Sequence, residues 1–318
     1  MPLMVSGGSS IDYDVDGKGP PLLLIAGLGF GRWCWFKQVP TLSQHLRVIT
    51  FDIRNLDRLD LLDPKDHIHS VDDLAAHASA LLDYLGIERV HILGTSLGGF
   101  VAQELALRRP KLVDRLVLVS TSYGGSDSAP PSWEALRAML GLGATNRAEA
   151  VRQGLETATS AAYRADHPDE FDQLLQWRIT DAPSQPSYLD QMMAGARFDV
   201  SSRVHQIRSP ALVLHGSDDQ VVPMDNAVAL AQAIPDATLH IVEGAGHLVF
   251  IERAEEVNEE ILSFLRAKRY PSLNVLRAKY YPSLNRQVAG QLTQLRRSLP
   301  ELYRSLPKLR RLIQRWRE

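Results

Sequence analysis

Ser96 lies in Gly94-Thr95-Ser96-Leu97-Gly98-Gly99, directly after the apolar run Val90-His91-Ile92-Leu93 and before Phe100-Val101-Ala102-Gln103-Glu104-Leu105-Ala106, which reads as a helix. A G-x-S-x-G segment between a strand and a helix is a nucleophile elbow. The sharp turn strains the serine backbone, and residues two before and two after must lack side chains so that neighbouring backbone can approach. It also sets the hydroxyl at a helix N-terminus, where the dipole favours developing negative charge. Serine alone is a weak nucleophile; it needs a base to take its proton and a third group to orient that base. Downstream, Gly216-Ser217-Asp218-Asp219 follows the apolar run 211–215 and Gly244-Ala245-Gly246-His247 follows 238–242, so an acid and a histidine are available in the order Ser, Asp, His. Either Asp218 or Asp219 could orient His247, the other serving as a cap for a helix beginning near Pro223.

These segments must be delivered by a sheet. Continuously apolar runs at 22–26, 47–51, 90–93, 116–119, 211–215 and 238–242 read as strands covered on both faces. Between them, 71–85 places Leu74, His77, Ala78, Leu81, Leu82 and Leu85 at helical spacing with Gly86 as a stop, and 225–233 reads as another helix. The alternation predicts an α/β fold, a mostly parallel doubly wound sheet. It is interrupted once, from about Gly124 to Val200. There no β-branched run occurs, Pro130, Pro131, Pro168, Pro183 and Pro186 punctuate, and Trp133, Leu136, Met139 and Leu140 fit one helix face, which predicts an inserted helical cap.

At this point the chain resembles the α/β-hydrolase superfamily, in particular its small serine carboxylesterases and lactonases, over about residues 10–265. The resemblance implies Asp219 as the acid, the fourth residue of a Gly-x-x-Asp segment. It also implies an oxyanion hole made by the backbone amides of Leu97 and Leu28, the latter in Ala26-Gly27-Leu28-Gly29-Phe30-Gly31, where Ala26 stands in place of the family's common His. A further departure is Asp52-Ile53-Arg54-Asn55-Leu56-Asp57-Arg58-Leu59-Asp60, with Asn55, Asp57 and Leu59 where relatives often carry small residues. The domain reading is therefore 1–123 and 201–268 as hydrolase core, 124–200 as cap and 269–318 as a basic extension. The expected activity is hydrolysis of carboxylic esters of short to medium acyl chain, with lactone hydrolysis, C–C bond hydrolysis or perhydrolysis as alternatives. A non-catalytic receptor that keeps the triad is the rival from another class. Adjacency to the catalytic positions nominates Phe30, Trp33, Tyr123, Trp133, Met139, Phe198, Val222 and Leu248 for an apolar pocket, whereas Trp35 and Phe36 read as core.

Composition sets outer bounds. The chain has 318 residues, 45% hydrophobic and 23% charged, which is that of a globular protein able to bury a core. One cysteine, Cys34, excludes an internal disulfide framework and any multi-cysteine metal site. The acidic start, with Asp12, Asp14 and Asp16, argues against a signal peptide, and the expected location is the cytoplasm. The net charge of −2 conceals an asymmetry: residues 265–318 hold 14 Lys and Arg against 2 Asp and Glu, leaving 21 basic and 35 acidic residues before them. This tail repeats Leu265 to Asn274 as Leu276 to Asn285, and Arg297 to Tyr303 as Arg304 to Arg310. Its end sets Leu309, Leu312, Ile313 and Trp316 among arginines as a basic amphipathic helix. Packing on the acidic body is the favoured reading, and weak contact with anionic membrane the alternative. Other signals fail. Asp12-Tyr13-Asp14-Val15-Asp16-Gly17 imitates a calcium loop but reaches Leu23 where a glutamate is needed, so it reads as a turn between strands. His67 and His69 beside Asp66 lack a partner motif, so no metal is assigned. Neither a P-loop nor a dinucleotide fingerprint occurs; no cofactor and no nucleic-acid partner are expected, and the substrate is a small molecule.

Overall fold

The computed structural model describes residues 3–6, 9–52 and 70–267, all within one compact unit spanning Met1–Leu273. The loop containing Asn55, Asp57 and Leu59, the histidines 67 and 69, and the repeats and helix expected in the tail lie outside the described residues. In chain order the elements are β1 (Leu3–Ser6), β2 (Ser9–Asp16), β3 (Pro21–Ile25), α1 (Val39–Leu42), β4 (Arg47–Phe51), α2 (Val71–Tyr84), β5 (Val90–Thr95), α3 (Leu97–Arg108) and β6 (Val113–Val119). They continue with α4 (Trp133–Met139), α5 (Arg147–Ala158), α6 (Ala161–Asp166), α7 (Pro168–Thr180), α8 (Gln185–Arg197), β7 (Ala211–Gly216), α9 (Asp225–Ala233), β8 (Ala237–Val242), α10 (Val249–Glu252) and α11 (Ala254–Arg266).

The eight strands form one sheet in the order β1-β2-β4-β3-β5-β6-β7-β8. Pairing is parallel from β4 to β8, while β1–β2 and β2–β4 are antiparallel. Burial on both faces explains the continuous apolar runs. On β3, Leu23 and Ile25 face a core with Leu74, Leu81 and Val101, while Leu22 and Leu24 face a second core with Trp35, Phe250 and Phe264. On β6, Leu116 and Leu118 join the first and Val117 and Val119 the second. Period-2 alternation thus feeds two helical layers.

One expectation is corrected here. Asp12, Asp14 and Asp16 do not form a turn; they lie in β2, which pairs with β4 through Tyr13 opposite Phe51 and Val15 opposite Ile49. The aspartates occupy alternate positions, and Ile11 and Tyr13 between them are buried, which is strand periodicity. The turn comes after, at Gly17 with φ 78°.

Five helices, α4 to α8, interrupt the sheet between β6 and β7. Their starts are locally encoded: Ser132, Asn146, Ser160 and Ser184 each accept a hydrogen bond from the backbone N–H three residues on. Pro168 and Pro186 sit in the first turns of α7 and α8, where a missing N–H costs nothing. The insertion leaves and returns at one point: Gly125 N donates to Phe198 O at 3.0 Å and Val200 N to Tyr123 O at 3.0 Å. Among the described residues no helix is long and apolar enough to cross a membrane.

Candidate active site

The elbow is built by close approach. Ser96 bridges β5 and α3 with φ 53° and ψ −119°, a strained backbone for a residue bearing a Cβ. Its amide donates to Val119 O at 2.9 Å, and its carbonyl accepts from Gly99 N and Thr121 Oγ1, both at 2.9 Å. A Cβ on Gly94 would overlap the Gly98 carbonyl, and one on Gly98 would overlap the Ile25 carbonyl. The two glycines of the motif are therefore steric requirements. Ser96 Oγ makes no hydrogen bond among the described residues, His247 included, and the nearest loop presses on its side chain: a Cβ on Gly27 would lie 3.2 Å from Ser96 Cβ and 3.8 Å from Oγ.

Two and three strands from β5, β7 and β8 end in the loops that carry Asp219 and His247. The β7 end is packed so closely that a Cβ on Gly216 would overlap the carbonyls of Ala245 and Gly246, which brings the loop after β8 over the loop after β7. His247 Nδ1 thereby stands 2.8 Å from Asp219 Oδ2. The Asp219 side chain is fully buried. Its Oδ1 accepts from the amides of Val221 at 2.9 Å and Val222 at 2.8 Å, and Oδ2 also faces His215 Nε2 at 3.2 Å. Burial by itself raises the carboxyl; electrostatic attraction to His247 and the hydrogen bonds from His215 and His247 more than offset it and hold Asp219 well below the usual carboxylate range. Of the two adjacent aspartates, it is Asp219 that is buried against His247. Asp218 is exposed and accepts from Ser217 Oγ at 2.9 Å, and α9 begins at Asp225 without a side-chain cap, so neither aspartate serves as that cap.

The loop 26–31 carries Leu28. Gly27 O accepts from Phe30 N at 3.1 Å, and Gly29 has φ 66°. The amides of Leu28 and Leu97 donate no hydrogen bond among the described residues; Leu97 opens α3, where helix N–H groups lack an intrahelical acceptor. A helix N-terminus and a tight turn next to Ser96 make an environment suited to a developing oxyanion.

Four residues escaped the sequence reading. His215 and Glu252 brace the acid and base loops. The Glu252 carboxylate accepts from Gly246 N at 3.2 Å and from Ser160 N at 3.1 Å, tying the residue before His247 to the start of α6, and burial raises its pKa despite these bonds. Arg178 and Gln191 reach the 26–31 loop from the insertion. Only His215, apolar-run histidine at a strand end four residues before Asp219, carried a sequence signal.

The nominated pocket residues divide. Phe30 and Trp33 are half-buried, with ring centroids 5.3 Å apart and Trp33 5.8 Å from Trp177 of α7. Tyr123, Met139 and Val222 are half-buried, and Phe198 stacks on Phe100 at 4.5 Å. Leu248 is 2% exposed and packs in the second core, whereas Trp133 is 41% exposed. Trp35 packs in the core at 4.9 Å from Phe250. Among the described residues no cluster of three or more His, Cys, Asp or Glu could hold a metal ion.

Comparison with known proteins agrees with this architecture. A family model described as alpha/beta hydrolase fold matches residues 20–254. A 2-hydroxy-6-oxo-6-phenylhexa-2,4-dienoate hydrolase from Comamonas testosteroni is 29% identical, over 81% of this chain and 92% of its own. A poly(3-hydroxyalkanoate) depolymerase from Ectopseudomonas oleovorans is 31% identical, over 78% and 85%. The crystal structure of the enol-lactonase from Burkholderia xenovorans LB400, 25% identical, superposes with a TM-score of 0.71 over 84% of this chain and all of that one. With a strand-to-helix serine, a buried acid–imidazole pair and a family model covering most of the sequence, the chain is a hydrolase and belongs to the alpha/beta hydrolase fold family.

Proposed function

We propose that the protein is a serine hydrolase of carboxylic esters. The observation that carries this reading is the buried Asp219–His247 pair, 2.8 Å apart, at the same carboxyl ends of the parallel strands as the strained Ser96. An Nδ1–H donated to the carboxylate fixes the tautomer in which Nε2 of a neutral imidazole is free to accept a proton. In acylation Ser96 Oγ attacks the ester carbonyl carbon while Nε2 takes the hydroxyl proton. The carbonyl oxygen becomes an oxyanion held by the Leu28 and Leu97 amides. The C–O bond to the alcohol then breaks, with the proton passing from His247 to the departing oxygen. Water, activated by the same imidazole, repeats the sequence on the acyl-enzyme and releases the acid.

Residues 124–200 act in this reading as a cap, and its aromatic and apolar side chains beside the loop 26–31 suit an uncharged acyl chain of short to medium length. The names of the polyester depolymerase and the enol-lactonase support cleavage of an ester C–O bond. The dienoate hydrolase supports C–C cleavage by the same machinery as the second reading. Burst kinetics separate them. A stoichiometric burst of p-nitrophenol from p-nitrophenyl butanoate, abolished in Ser96→Ala, is the expected result. Turnover of 2-hydroxy-6-oxo-6-phenylhexa-2,4-dienoate without any ester or lactone turnover would overturn the ester reading in favour of C–C cleavage. Binding of acyl ligands with no turnover of any of the three would make the chain a receptor.

A further inference from the structure

The turn that carries the Leu28 amide is gripped from outside the core. The bond from Phe30 N to Gly27 O closes residues 27–30 as a four-residue turn, and Gly29, third in it, has the positive φ that a type II turn requires there. The central peptide of such a turn, here Leu28 C=O with Gly29 N–H, distinguishes type II from type I by its orientation. Both ends of that peptide are tied to the insertion. Arg178 Nη2, from α7, donates to Leu28 O at 2.9 Å, and Gly29 N donates to Gln191 Oε1, from α8, at 3.0 Å. Gln191 is 1% exposed, and the Arg178 guanidinium lies 4.0 Å from the centre of the Phe30 ring, a stacking distance for a cation on an aromatic face. The fit is tight at 29, where a Cβ would stand 2.9 Å from Arg178 Nη1 and Nη2 and from Tyr188 Cδ2. Ala26, beside the turn, has a methyl side chain that cannot hydrogen-bond to brace it.

We propose that Arg178 and Gln191 are positioning residues that lock the Leu28–Gly29 peptide and thereby hold the Leu28 N–H aimed beside Ser96. The inference rests on the reading of Leu28 as an oxyanion donor. Its consequence is that the insertion completes the oxyanion hole as well as covering the substrate. A donor fixed before reaction stabilises the transition state without reorganising, so loosening it lowers the rate of acylation more than it weakens substrate binding.

The test compares Arg178→Met, Arg178→Lys, Gln191→Met and Gln191→Glu by pre-steady-state acylation with p-nitrophenyl butanoate and by inhibition with phenylboronic acid, which places an oxygen in the hole as a tetrahedral adduct. Each methionine variant is expected to acylate about 10- to 100-fold more slowly, with boronate inhibition weakened in parallel and the substrate dissociation constant, read from the concentration dependence of the acylation rate, changed less than about threefold. The double methionine variant is expected to lose little more than the worse single one, because both side chains hold one peptide. Lysine at 178 and glutamate at 191 keep the donor and the acceptor and are expected to restore most of the rate. Acylation at the wild-type rate in the methionine variants, a weakened substrate dissociation constant at an unchanged maximal acylation rate, or failure of both conservative variants to restore the rate would overturn the proposal. Should a methionine variant not fold, hydrogen exchange of the Gly29 amide in the wild-type chain decides: protection supports the lock, and exchange at the rate of an open loop overturns it. Absence of a Ser96-dependent burst in the wild type would instead remove the hydrolase reading beneath it.

Discussion

His215 Nε2 stands 3.2 Å from Asp219 Oδ2, the same oxygen that His247 engages from the other side. The same nitrogen lies 2.7 Å from Val222 O. A carbonyl only accepts, so Nε2 of His215 carries a hydrogen and serves both the carbonyl and the carboxylate. His247 thus faces a carboxylate that also meets a second, fully buried imidazole.

Replacing His215 by leucine removes that donor while keeping the volume. Asp219 then ionises less readily. A carboxylate with a depressed pKa contributes stability that is present above its unfolded pKa and lost as pH falls through its folded value. The expected outcome for His215→Leu is a loss of about 1.5–3 kcal/mol at neutral pH, with the acid-unfolding midpoint moved to higher pH. Urea unfolding followed by tryptophan fluorescence across pH 3–8 measures both; an unchanged acid limb would show that His215 does not support the carboxylate.

The two adjacent aspartates make a sharp contrast. Asp219→Asn keeps the shape but presents an amide to Nδ1 and favours the wrong imidazole tautomer, an effect worth on the order of 10⁴ in kcat where such a triad operates. Asp218→Asn alters an exposed side chain whose bond is to Ser217 Oγ, and activity within about twofold of wild type is expected. Esterase assays of the two variants side by side check the assignment, and equal losses would contradict it.

The sheet and the tight glycine-flanked turn at Ser96 were legible because they obey local rules. The elbow needs glycine wherever backbone would collide, at Gly94 and Gly98, and buried parallel strands need uninterrupted apolar runs such as Leu22-Leu23-Leu24-Ile25. Strand β2 is hidden in the sequence because aspartates at three alternate positions alternate with the buried Ile11 and Tyr13. Which of Asp218 and Asp219 turns inward is a matter of loop geometry after β7, which residue types alone do not encode. Arg178 and Gln191 were invisible for a different reason. They lie 150 and 162 residues from the turn they hold, on helices whose amphipathic pattern records only that they pack, and nothing in a single sequence pairs a helix-surface arginine with a distant carbonyl.

Glu252 gives a pH dependence of opposite sign. Its carboxylate joins Gly246 N, next to His247, to Ser160 N in the insertion, and burial raises its pKa above the ordinary glutamate value. The native state therefore binds a proton that the unfolded chain releases, and stability falls as pH rises from the unfolded glutamate range through the folded value. Glu252→Gln keeps an oxygen that both amides can share and has nothing to ionise. Its stability relative to wild type is expected to improve as pH rises through that window, while Glu252→Ala leaves two amides without an acceptor and costs about 1–3 kcal/mol. Alanine also frees the loop that carries His247, so its kcat is expected to fall where that of the glutamine variant holds. Denaturant unfolding of the three proteins between pH 4 and 8, paired with esterase assays, checks both parts. A glutamine variant whose stability tracks the wild type at every pH would show that Glu252 does not titrate differently on folding.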